Sequence, residues 1–228
     1  MNDYEFEKLG QGAVESLDDP RSVFVEDIAG AVEIPDEFFS PYTVAAYLKN
    51  GVNNQKQRNS CVLESSDKIN EALSFWEITP DEVPDGKVID HLFELINSKL
   101  VLKKDIEKQV ENFSPVFGWY IAKQIDGLPN AQGTYLTTGG KVLTGYGLCE
   151  ERLHPSGAED DQMALSFKPS NEAYEDAKKH KIERYAQTEK SFGSYKLASR
   201  TAHANCFIGG FATGGGSNLS VQPQKPPV

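Results

Sequence analysis

"NNQKQRNSCVLESSDKINEALSFWE", residues 53–77, joins a polar loop to an apolar, helix-spaced run, with a cysteine at the junction. Val62, Ser66, Ile69, Leu73 and Trp76 recur at three- and four-residue intervals, which predicts a helix over 61–77 with Ser60 as its cap. The amino end of that helix brings unpaired N–H groups and a partial positive charge to the Cys61 sulfur, an environment that favours thiolate. A thiolate attacks amide carbonyls, and the backbone N–H of the same residue can hold the developing oxyanion. Gln55, six residues back in the loop, offers a side-chain amide as a second donor. The plainer reading of Cys61 is a small buried hydrophobe, a common use of a free cysteine.

A chain of 228 residues is long enough to bury a real core, as one large domain or as two lobes sharing a cleft. Its formal net charge of -11 leaves no basic face for a phosphate backbone, so nucleic acid and anionic membranes are not expected partners. No apolar stretch approaches the roughly 18 residues that a membrane span requires. The segment "MNDYEFEKLGQG" (1–12) lacks the cationic start and apolar core of a secretory signal. The expected setting is therefore the cytoplasm, or release with a larger assembly. Cys61, Cys149 and Cys206 cannot all pair within one chain, and their spacing has no metal-site rhythm.

Residues 1–40 are broken by Pro20 and Pro35, with Pro41 just beyond, and read as an extended strap or pro-segment-like extension. Residues 41–150 read as a mainly helical lobe that carries the thiol. Within it, one helix is predicted from about Gly86 to Glu111, because "VIDHLFELINSKLVLKKDIEKQVE" mixes apolar residues at helical spacing with charges. "SPVFGWYIAKQI" (114–125) continues as another helix, and "TYLTTGGKVLTGYG" (134–147) reads as a short helix closed by Gly147. Residues 151–228 read as a partial second lobe and a tail. There, "PSNEAYEDAKKHKIERY" (169–185) is a helix starting at Ser170 or Asn171, "TAHANCFIGGFATG" (201–214) suits a buried strand, and "GGGSNLSVQPQKPPV" is a flexible or polyproline tail.

The Gln55-to-Cys61 arrangement, with Asn59 and Ser60 before the cysteine and a helix directly after it, resembles the active-site segment of papain-like cysteine peptidases. "LGQGAVESLDDPR" and "VEIPDEFF" upstream look like the lead-in of the bacterial and phage branch of that family. "FSPVFGWYIAKQIDG", "GTYLTTGGKVLTGYGLCEERLHP" and "KPSNEAYEDAKKHKIERYAQ" follow that branch's order downstream, so the likeness runs from about residue 10 to 210. It implies an α+β papain-like fold in which a helical lobe, its central helix headed by Cys61, faces a β-rich lobe that is incomplete here. It implies hydrolysis of peptide bonds in protein substrates through a Cys61 thioester, an oxyanion hole containing Gln55, and no metal or organic cofactor. By the same likeness Gly133 lies along the cleft where a substrate backbone pairs. Lys56, Arg58 and Asn59 stand where the family usually has glycines, and "LHPSG" replaces its usual Trp-Pro-Tyr turn.

Papain-like chemistry also needs a histidine to share the thiol's proton and an asparagine to orient the ring. His91 and His180 lie in charged helical surroundings and read as surface residues, and His154 sits in a polar turn before Pro155. His203 in "HANCFIGGF" resembles the family's histidine only superficially, since its distance from "IERYAQ" fits an earlier strand of the second lobe. The expectation is a fragment, or a relative left inactive, whose base and Asn-Ser-Trp segment are missing. The alternative is a non-enzymatic binding or structural protein that keeps the scaffold, and transglutamination is a third use of the same thiol. Ser65 and Lys68 match a Ser-x-x-Lys pattern that the helix itself explains, and the acidic run "EDD" (159–161) reads as a solvated loop.

Overall fold

A computed structural model describes residues 13–14, 41–51, 53–128, 133–183 and 185. In chain order the elements are β1 (Ala13–Val14), α1 (Pro41–Asn50), α2 (Cys61–Glu77), α3 (Val88–Leu92), β2 (Phe93–Ile96), β3 (Lys99–Leu102) and α4 (Lys104–Glu107). Then follow α5 (Pro115–Ile125), β4 (Thr134–Tyr135), α6 (Leu136–Gly145), α7 (Asp161–Ser166) and α8 (Asn171–Ala177). Among the described residues no helix is long and apolar enough to cross a membrane.

Helix α2 begins at Cys61 as its apolar spacing predicts, with Ser60 before it. The Ser60 carbonyl accepts from Leu63 N–H (2.8 Å) and Glu64 N–H (3.0 Å), while its hydroxyl donates to Glu64 Oε1 (2.8 Å) rather than capping the backbone. The far end closes where Thr79 Oγ1 donates to the Phe75 carbonyl (2.8 Å), just before Pro80.

Two apolar clusters share α2. Val62 and Leu63 join one with Phe117 and Trp119 of α5, and Val142 and Leu143 of α6. Ala72 and Phe75 join the other with Ala45 and Ala46 of α1, Leu92, Phe93, Leu102 and Ile106. Each fully buried Phe or Leu contributes about 1.5–3 kcal/mol, so the helix is held from both sides along its length. The predicted face holds only at its start: Val62 and Ser66 are buried, but Trp76 is 42% exposed and Phe75 takes the core position. The buried arc shifts because the neighbour changes from one cluster to the other along the helix.

The single helix expected over 86–111 does not form. A 3-10 turn and the short α3 lead into an antiparallel hairpin in which Phe93 faces Leu102 and Ile96 faces Lys99. Asn97 (φ 51°) and Ser98 (φ 61°) make its two-residue turn, a left-handed pair whose twist matches the strands. "FELI" and "KLVL" are too short to fix a period of their own, and the two-residue turn at Asn97–Ser98 joins them as paired strands.

Helix α5 starts at Ser114, whose Oγ accepts from Phe117 N–H (3.0 Å) and donates to the His154 carbonyl (2.5 Å), with Pro115 in the first turn. Helix α6 closes as predicted: Gly147, at φ 78°, donates its N–H to the Val142 carbonyl (2.9 Å). Helix α8 is shorter than expected, running from its Ser170 cap to Ala177 before a 3-10 turn over Lys178–His180. Ala158, Ala164, Ala173 and Ala177 pack into the cluster of Leu63 and Phe117, so the core is continuous across residue 150. The expected strand at 201–214, the tail, His203, Cys206 and most of the strap lie outside the described residues.

A Cβ at Gly147 would lie 1.9 Å from the Ala177 carbonyl oxygen, whereas one at Gly145 meets nothing within 4 Å. Gly147→Ala is therefore expected to lose more than about 2 kcal/mol from strain and forced separation of α6 from α8. Gly145→Ala is expected to be neutral or to gain up to about 1 kcal/mol. Urea denaturation of the two variants checks this contrast.

Candidate active site

The loop from Asn53 to Ser60 is packed with side chains where a glycine-rich loop would be bare. Gln55 accepts from Arg58 N–H at its carbonyl (3.0 Å), closing a tight turn through Lys56. Lys56 adopts φ 55°, a left-handed conformation that costs a non-glycine residue roughly 1–2 kcal/mol. Its N–H donates to Asn54 Oδ1 (2.8 Å) and its ammonium to Glu159 Oε1 (2.5 Å), which hold that conformation in place.

Arg58 is 1% exposed, and its whole guanidinium is engaged. It donates to Glu64 Oε1 (2.8 Å), Ser60 Oγ (3.3 Å), and the carbonyls of Ala158, Ser156 and Asn54. Glu64 is in the first turn of α2 and itself buried, so the pair ties the loop, the helix start and the 156–159 segment together at one point.

The acidic run at 159–161 is open to solvent at Glu159 and Asp160, as read, yet each of its carboxylates has a partner. Glu159 grips Lys56, Asp160 caps α7 by accepting from Met163 N–H (2.8 Å), and Asp161 accepts from Asn59 N–H (3.0 Å) and Asn59 Nδ2 (2.7 Å). Lys56 and Asn59 are about a hundred residues from their acidic partners in sequence, so no local pattern announces those two contacts. The loop start is fixed as firmly: Asn53 Nδ2 donates to Asp67 Oδ2 (2.6 Å) and to the Glu64 carbonyl (3.3 Å).

Cys61 stands as the first residue of α2, half-buried and packed against the first apolar cluster, at the positive end of the helix dipole. Gln55 is half-buried in the loop before it. Cys149 is the contrasting thiol: burial, then the nearby Asp176 charge, push it up to about 12, so it stays protonated and inert. Gly133 is buried at φ 66°, and its carbonyl accepts from the Lys123 ammonium. The strand it introduces, β4, pairs in parallel with β1, Ala13 against Thr134 and Val14 against Tyr135. Residues 13–14 of the chain itself thus lie along the strand that follows Gly133.

His154, read as part of a polar turn, is fully buried. Its ring stacks on Phe167 (5.1 Å) and meets Phe117 edge-on (6.2 Å), and neither nitrogen has a hydrogen-bond partner among the described residues. Burial lowers its pKa, so the ring is a neutral core group. His180 and His91 are half-buried rather than surface residues. The His180 carbonyl accepts from Asn70 Nδ2 (3.2 Å), nine residues and about 13 Å along α2 from Cys61.

Asp67, Lys68 and Glu71 form a buried charged band on α2, with Lys68 Nζ 2.8 Å from Glu71 Oε2 and 3.8 Å from Asp67 Oδ2. Burial, and then the Glu71 charge, raise the Asp67 carboxyl well above the usual carboxylate range. A carboxyl raised in the folded state holds its proton more tightly folded than unfolded. Its contribution to stability is therefore greatest at low pH and is lost as pH rises through the folded pKa. Asp67→Asn removes this dependence, so the variant should gain on the wild type in denaturant midpoint between about pH 4 and pH 7.5. Arg58→Ala strands the Glu64 charge in the core and should cost about 3–5 kcal/mol. The double variant Arg58→Met with Glu64→Leu should recover much of that loss, as a double-mutant cycle by chemical denaturation would read.

No family model matches the chain, and no curated protein sequence matches it. Among solved structures, the crystal structure of xylellain, a cysteine protease from Xylella fastidiosa, matches with a TM-score of 0.55 at 19% identity, covering 86% of this chain. The chain spans about 64% of that protein's length. With the helices and strands described above, this likeness gives the architecture: an α+β chain with the papain-like fold.

Proposed function

We propose that this chain carries cysteine-peptidase chemistry of the bacterial and phage papain-like type, with Cys61 as the nucleophile. The observation that supports it best is the placement of a half-buried thiol at the head of α2, directly after a loop clamped by Arg58, Asn59 and Lys56. In this reading the Cys61 thiolate attacks a peptide carbonyl, and the Gln55 side-chain amide and the Cys61 N–H hold the oxyanion. The amine leaves with a proton, and water then cleaves the thioester and restores the thiol.

The clamp matters because an oxyanion donor works only if it is held before the charge develops. A flexible glycine loop would reach that geometry by closing on substrate. This loop has its geometry fixed by the backbone carbonyls of Ser156 and Ala158 and the carboxylates of Glu159 and Asp161. Gly133 and β4 offer a backbone edge for an extended peptide, the edge that Ala13–Val14 occupies here. His154 is sequestered between Phe117 and Phe167, so in this reading it does not share the thiol's proton.

A peptidyl thiol-reactive inhibitor, followed by mass spectrometry, tests the reading. It should label Cys61 far faster than Cys149, and peptide cleavage should disappear in Cys61→Ala. Gln55→Ala should lower kcat about 10²–10³-fold with little change in stability. Labelling of Cys61 no faster than in the denatured chain, with no peptide cleavage, would sink the proposal.

A further inference from the structure

Three metal-binding side chains meet away from the Cys61 loop, where the segment after α6 passes the end of α8. Asp176 and His180 are four residues apart across the last turn of α8 and the 3-10 turn, so they share one face. Glu150 is brought to them by the bridge between Phe113 and Glu150, and its N–H donates to Asp176 Oδ2 (3.0 Å). One ligand atom from each of the three lies within 4.8 Å of the others.

The state of His180 Nε2 is what points to a ligand. The atom is shielded from solvent and has no hydrogen-bond partner among the described residues; Asp176 Oδ2 is 3.8 Å away, beyond hydrogen-bond range. The ring is fixed against Phe113 (4.8 Å), and its backbone carbonyl is tied to Asn70. Turning outward for water would break this packing, and a buried nitrogen left without a hydrogen bond is destabilising.

We propose that Glu150, Asp176 and His180 bind one divalent cation of the zinc class. One imidazole nitrogen and two carboxylate oxygens match the donors such ions take, with water completing the shell. Bond lengths of about 2.0–2.2 Å require the donors to draw closer together, which rotation of the half-buried Glu150 side chain supplies. Two cations now compensate the carboxylates: Lys179 Nζ on Asp176 Oδ1 (2.9 Å) and Arg152 Nε on Glu150 Oε2 (2.5 Å). Their side chains are 69% and 67% exposed, so both can swing into solvent when the ion enters. The ion would join the 148–151 turn to the end of α8. It would act on stability, since the His180 backbone meets α2 about 13 Å along from Cys61.

Cys61 could itself take up zinc, so the experiment uses the full chain carrying Cys61→Ala. Titration calorimetry with Zn²⁺ should give one ion per chain, and the Tm should rise with Zn²⁺ concentration. His180→Gln and Glu150→Gln should each weaken binding roughly tenfold or more. Co²⁺ in place of Zn²⁺ should give visible d–d bands with no sulfur charge-transfer band, which reads the donor set independently of the variants. Absence of one-to-one binding in the Cys61→Ala chain, or binding unchanged in both ligand variants, would overturn the proposal. So would a sulfur charge-transfer band.

Discussion

Arg58 and Glu64 are a cation and an anion that water would solvate well, yet both lie buried at the start of α2. Burying such a pair is costly, and the cost is offset only if every remaining donor finds an acceptor. That requirement organises the site. The guanidinium must meet Ser60, Asn54, Ser156 and Ala158 as well as Glu64, so the helix start, the loop and the 156–159 segment are fixed relative to one another. Once they are fixed, Asn59 falls against Asp161 and Lys56 against Glu159.

Helix α2 carries this arrangement because it is held along its whole length. Its first turn packs with α5 and α6, and its last turns with α1 and the hairpin. Between the apolar ends runs the Asp67, Lys68 and Glu71 band, which stitches Asn50 and Asn53 onto the helix. The site therefore rests on a helix whose tilt is set by two cores and whose rotation is set by charged contacts. A thiol at the end of such a helix has little freedom to wander.

Local signals were legible in the sequence. Ser60 and Ser170 marked helix starts, Gly147 marked a helix end, and the apolar spacing after Cys61 located α2. Gln55 and Cys61 were paired by the donor chemistry an oxyanion needs and by the family resemblance, because six residues of loop carry no periodicity. What escaped the sequence was decided by distant partners. The solvent exposure of the acidic run 159–161 was legible but its partners at 56 and 59 were not, and His154 looks polar until Phe117 and Phe167 enclose it. The hairpin was missed because four-residue apolar stretches fit either period, and Asn97 and Ser98 are an uncommon form of turn signal.

That hairpin bears on the colloidal behaviour of the protein. Among the described residues it pairs only with itself, and Leu95 is 75% exposed, with Ile96 and Val101 also open to solvent. Unpaired backbone and apolar side chains at the edge of a ribbon invite another chain to add a strand. A formal charge of -11 opposes that encounter by mutual repulsion between copies, and repulsion of this kind fades within about 10 Å at 0.1 M salt. Solubility is therefore guarded by long-range charge rather than by the shape of the ribbon, and raising the ionic strength weakens that guard without altering the fold.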